Sequence, residues 1–126
     1  MKKIMKFCFT FTLLFSSLFL IDMNPANAAT HDTTLFNGQS VLRSSSVDVN
    51  SSTPGLAVKA SNRSNNPYTV SLVKNGSIIN TWNVSGNQFF DIWYLSTLTA
   101  DPGNYYLLLS CPSSSCGGGT ATISSF

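Results

Sequence analysis

His31-Asp32 is the one place in this 126-residue chain where a proton carrier sits beside a charged neighbour. General acid–base chemistry needs such a histidine to be oriented by its partner. The pair lies just beyond an expected processing site, in a polar stretch from Ala29 to Thr33 that reads as frayed, where a histidine is solvated and inert. Serines are numerous, but a nucleophilic serine needs a base and an oxyanion site. No Gly-x-Ser-x-Gly elbow is present. Gly117 to Gly119 lack the lysine and the strand-to-helix setting of a phosphate loop and read as a flexible connector. Beyond residue 28 the carboxylates are Asp32, Asp48, Asp91 and Asp101, with no glutamate. They offer neither a calcium loop nor a pair suited to glycoside hydrolysis. Zinc would need more imidazoles or thiolates than His31 and two cysteines supply. The reading is of a non-enzyme with no catalytic residues, no metal ligands and no cofactor.

Cys111 and Cys116 enclose Pro112-Ser113-Ser114-Ser115. A redox pair would have a shorter gap and a nearby cation, so a structural disulfide is expected in an exported chain. Closing so short a loop contributes on the order of 2 kcal/mol.

Trp82, Phe89, Phe90, Trp93, Tyr94, Tyr105 and Tyr106 make the chain dense in aromatics. Most are expected to fill a core, where large rings bury the most area. The segment Phe89 to Leu95 is apolar on both faces and interrupted only by Asp91. Alternation puts Asp91 on one face with Phe89, Trp93 and Leu95. Burying that aspartate unpaired would cost several kcal/mol, so this face is expected to meet solvent. Phe90, Ile92 and Tyr94 would then face inward. Trp93, Asp91 and Phe89 are the candidate binding residues.

The elements that must carry them are strands. Runs with β signals cover Ser40 to Val49, Gly55 to Ala60, Tyr68 to Val73, Ile78 to Val84, Phe89 to Leu95, Tyr105 to Cys111 and Thr120 to Phe126. Asn37-Gly38, Pro54-Gly55, Asn75-Gly76, Ser85-Gly86 and Pro102-Gly103 fall between them as turns. Seven short strands at this spacing predict an all-β, antiparallel sandwich of jelly-roll-like form. In the hairpin around Asn75-Gly76, a three-residue loop of Lys74, Asn75 and Gly76 would pair Leu72 with Ile78 and Tyr68 with Trp82. That register gathers the bulky groups on one face, so it is the one expected.

Two segments carry a resemblance. Tyr68-Thr69-Val70-Ser71-Leu72-Val73-Lys74-Asn75-Gly76 and Leu98-Thr99-Ala100-Asp101-Pro102-Gly103-Asn104-Tyr105-Tyr106-Leu107 resemble the bacterial pre-peptidase C-terminal domains over roughly residues 67 to 111. The resemblance implies a small exported jelly-roll-like sandwich, of a kind usually appended to proteases, with a role in secretion or surface binding. The chain departs from that pattern by standing alone and by lacking clustered acidic residues for calcium.

Export is legible at the start. Lys2, Lys3 and Lys6 precede an apolar run from Phe7 to Ile21, 15 residues long. A bilayer span needs about 20. With small residues at Ala26 and Ala28, residues 1–28 read as a signal peptide and 29–126 as one secreted domain. Cys8 falls inside the signal. The Lys, Asn and Ser usage resembles that of small exported proteins of Gram-positive bacilli. Removing the signal leaves Arg43, Lys59, Arg63 and Lys74 against four aspartates, a formal charge of zero. Net charge therefore gives no attraction to nucleic acid or to an anionic membrane.

Three readings compete: a secreted, wall-associated binding module for cell-wall glycan or an extracellular protein; a secreted antagonist (enzyme inhibitor or antibacterial protein) using the cysteine loop as its projecting element; and a matrix protein associating through edges such as Ser40 to Val49. All three require export. The intact mass of protein recovered from the medium should correspond to a chain starting at Ala29. Retention of residues 1–28 would contradict it.

Overall fold

A computed structural model describes residues 28–126, so the expected signal segment, with its lysines and Cys8, lies outside the described residues up to Ala28. Nine strands follow: β1 (Ala29–Thr34), β2 (Val41–Arg43), β3 (Val47–Val49), β4 (Leu56–Asn62), β5 (Tyr68–Lys74), β6 (Ser77–Val84), β7 (Gln88–Thr97), β8 (Gly103–Ser110) and β9 (Gly119–Ser125). No helix occurs among the described residues. One antiparallel sheet runs β1-β9-β4-β7, and the other runs β2-β8-β5-β6 with β3 also on β8.

Alternation decides what the sandwich buries. Tyr68, Val70 and Leu72 of β5, Tyr105, Leu107 and Leu109 of β8, Leu56, Val58 and Ala60 of β4, and Ala121 and Ile123 of β9 meet in the core. Each large aliphatic side chain taken wholly out of water there contributes roughly 1.5–3 kcal/mol. Tyr68 crosses from one sheet to the other. Its hydroxyl lies 2.9 Å from the carbonyl oxygens of both Ser61 and Thr120, which are register partners on β4 and β9. Gly119 makes room for the ring, because a Cβ there would lie 2.8 Å from Tyr68 Cε1.

Several expectations are corrected. The segment read as frayed is β1, paired along its whole length with β9. The run from Ser40 to Val49 is two strands of three residues each. Between them Ser44 is buried, donating its N–H to Leu107 O and accepting the Leu107 N–H on Oγ. So short and interrupted an edge is a poor template for association.

The hairpin loop is also different. Lys74 pairs with Ser77, so the loop is the two residues Asn75-Gly76, with φ of 49° and 86°. Both positive angles are what a type I′ turn demands. A bulge at Ile79 then shifts the phase, giving Val70 opposite Trp82 and Tyr68 opposite Val84. Tyr68, Val70, Trp82 and Val84 share a face as expected, but the bulge rather than a longer loop puts them there. Ile78 and Ile79 are left exposed.

The disulfide joins Cys111 to Cys116, both fully buried. Its loop is docked rather than projecting: Ser114 O accepts from Gly38 N–H, and Ser115 O accepts from Ser64 Oγ and Asn66 Nδ2. The glycines after it are no loose connector. A Cβ on Gly117 would meet Asn37, and Gly118 has a φ of +98°.

Burial, and secondarily the charges of Tyr94 and Asp91, push the Tyr68 phenol well above the ordinary tyrosine range. Burial and then Asp101 raise Tyr105 in the same direction. The neutral forms are therefore favoured by folding. That stability is complete below a pH of about 10 and is lost as pH climbs from there through the raised folded-state values. Tyr68→Phe should cost about 1–2 kcal/mol at neutral pH and flatten part of the alkaline loss. Denaturant melts across pH check it; an unchanged alkaline slope would contradict the assignment.

Candidate binding face

Sheet β1-β9-β4-β7 turns one face to the core and the other to solvent. Lys59 alternates with the buried Val58 and Ala60, so it stands on the outer face. Its register partner on β7 is Trp93, and its partner on β9 is Thr122, which in turn faces Asp32 of β1. One row thus crosses all four strands as Asp32, Thr122, Lys59 and Trp93. At ~4.8 Å per strand it spans on the order of 14 Å.

Electrostatics and hydrogen bonds tie the row together. Lys59 Nζ lies 3.4 Å from Asp91 Oδ2 and 5.3 Å from the centre of the Trp93 ring. Thr122 Oγ1 donates to Asp32 Oδ1 at 2.6 Å. Flanking rows add Thr30 Oγ1 donating to Ser124 Oγ, and the hydroxyl pair Thr34 and Thr120. Trp93 is 59% exposed beside them. The arrangement is a solvent-facing sheet surface with one large ring, one ion pair and a set of hydroxyls. It can stack and hydrogen-bond.

The expected outward face of β7 is found for Trp93 and Asp91, with two corrections. Leu95 pairs with Val58 and packs on the core, because Tyr94 is bulged out between that pair and Lys59↔Trp93. Nor are the residues of the other face buried: Phe90 is 84% exposed and Ile92 46%. β7 is an edge strand, and only its later half is covered. There Tyr94 meets Trp82 of β6 at 6.0 Å between ring centres and its hydroxyl donates to Gln88 Oε1. Phe89, Phe90 and Asp91 together stand opposite the single residue Ser61. Phe89 is exposed in that irregular stretch and joins no ring or ion pair with Trp93 or Asp91.

His31 and Asp32 form no dyad. His31 pairs with Ile123 on the core-facing side at the sheet edge, and Asp32 turns outward to Thr122. Among the described residues no three His, Cys, Asp or Glu side chains cluster to hold a metal ion. Sequence reasoning missed Lys59, Thr122 and Asp32. Their joining depends on β4 pairing with both β9 and β7, a long-range crossover with no local signal.

Because Trp93 lies on the outer face, Trp93→Ala should cost about 1 kcal/mol or less, mostly the contact with Lys59. A core tryptophan would cost about 3–5 kcal/mol. Chemical denaturation separates the two; a loss of several kcal/mol would make Trp93 structural.

No protein-family model matches the sequence, and no curated protein matches it. Among solved structures, the pre-peptidase C-terminal domain of a collagenase from Bacillus anthracis matches with a TM-score of 0.52 at 20% identity, over 79% of this chain and 90% of that one. A structure of PirA matches with a TM-score of 0.47 at 13% identity, over 77% of this chain and 93% of that one. The two segments that carry the sequence resemblance are neighbours in space. β5 pairs with β8 from Thr69↔Ser110 to Lys74↔Tyr105, and Asn75 and Asn104 exchange hydrogen bonds beside the turn. The chain has a fold similar to that of a pre-peptidase C-terminal domain.

Proposed function

We propose that this protein is a secreted, non-catalytic binding module that holds a polysaccharide, such as a cell-wall glycan, on the outer face of sheet β1-β9-β4-β7. The observation that carries the reading is the exposed Trp93 ring on the outer face, with Lys59 standing between it and the serine and threonine hydroxyls of β1 and β9. A ring held in place stacks on a sugar with little loss of entropy, and nearby amides and hydroxyls supply orientation. Asp91 holds Lys59 beside the ring, and Phe89 stands exposed farther back on the same strand. Export is supported by the disulfide, which suits an oxidising compartment, and by β1 beginning at Ala29, so that cleavage after Ala28 would leave the fold whole.

Self-association is the second reading. Exposed Phe90, Ile78 and Ile79 on the edge strands β7 and β6 favour it, in place of the Ser40 to Val49 edge. A sedimentation coefficient independent of concentration would rule it out.

The test of the first reading is a pull-down of the exported protein on purified cell walls and insoluble glycans. Wild type should be retained, and Trp93→Ala should lose about tenfold or more in affinity while remaining folded. Equal retention of both proteins would defeat the proposal.

A further inference from the structure

The charges around Trp93 narrow the ligand class. Resting on the binding reading above, we infer that the face selects an uncharged, hydroxyl-rich polymer and rejects acidic ones such as uronates and polyphosphodiesters. Three charged side chains stand on the outer face: Lys59, Asp91 and Asp32. One cation against two carboxylates leaves it at a formal −1. The cation is already engaged, lying 3.4 Å from Asp91 and over the Trp93 ring. An acidic chain lying along the row would have to displace Asp91 from Lys59 and then pass the Asp32 carboxylate.

Among the described residues the other lysine and arginine side chains lie off this row. Arg43 is on the other sheet, with its guanidinium 3.8 Å from the centre of the Tyr106 ring. Lys74 ends β5 on that same sheet and faces Asp101 at 3.9 Å. Arg63 follows β4 in the loop beside Gly118. Polyanion binding draws its affinity from several cations neutralising successive charges and weakens steeply with salt. Among the described side chains this face presents one lysine, already paired with Asp91. What it offers in number is hydroxyls: Thr30, Ser124, Thr34 and Thr120 on β1 and β9, with Thr122 buried beneath Asp32. Those groups exchange hydrogen bonds with sugar hydroxyls without regard to ionic strength.

Affinity electrophoresis of the exported protein tests this, with hydroxyethylcellulose, dextran and glycol chitin as neutral probes and polygalacturonate as the acidic one. Wild type should be retarded by a neutral polymer, equally at about 50 and about 200 mM salt, and should run freely in polygalacturonate. Asp32→Lys/Asp91→Lys, which puts three lysines on the face with Lys59, should acquire a salt-sensitive retardation in polygalacturonate. Retardation of wild type by polygalacturonate, or neutral retardation that weakens with salt, overturns the inference. The binding reading survives that result if Trp93→Ala abolishes the retardation. No retardation of wild type by any of the four polymers defeats both.

Discussion

Tyr68 is the contact on which the geometry of the sandwich turns. It belongs to one sheet, is fully buried, and reaches two carbonyl oxygens of the other at the point where β4 and β9 pair. Two sheets held by apolar contact alone can slide, since the hydrophobic effect has no direction. A hydroxyl that must find a partner in a dry core allows far fewer positions. Gly119 follows from the same demand, because the ring occupies the space of its Cβ. The docked disulfide loop, immediately before β9, fixes where that strand starts.

With β4 and β9 held, the outer face of their sheet is determined one strand to either side. Lys59 and Thr122 lie on the anchored pair, and Asp32 and Trp93 on the strands that flank it. β7 is the less constrained partner. It is paired along one edge only, carries two irregularities, and exposes apolar side chains on both faces. Bulges and twist blunt such an edge as a template for other strands. The same irregularities aim Trp93 outward while turning Leu95 and Tyr94 to the core. A ring on a rigid neighbour and a free edge is a reasonable place for recognition, since the core does not depend on it.

Much of this was legible from residues. Alternation in Tyr68–Val73 marked Tyr68, Val70 and Leu72 as the core face, because period-two patterning reports burial directly, whereas the nearly continuous apolar run from Tyr105 to Cys111 left its inward face unmarked. The aspartate among the aromatics of β7 marked Asp91 and Trp93 as wet, because an unpaired buried carboxylate is too costly. It did not separate two faces, since Phe90 and Ile92 are exposed and Leu95 packs on the core. What was hidden has a common cause. The bulges at Ile79 and Tyr94 shift phase within a strand, and no composition cue announces them. β1 was hidden by its polarity: Thr30, Asp32 and Thr34 make the outer face, so the strand resembles a loop. Lys59 became visible as part of a site only when a strand distant in sequence was laid beside it.

The central claim is that recognition uses the outer face of sheet β1-β9-β4-β7. Amide and indole chemical-shift mapping of the labelled protein, titrated with a soluble neutral oligosaccharide, tests it most directly. The account predicts shifts at the Trp93 indole, Lys59, Asp91 and Thr122, with the docked loop from Cys111 to Cys116 unmoved. Shifts confined to that loop and to Asn37–Ser40, with the Trp93 indole unaffected, would contradict it.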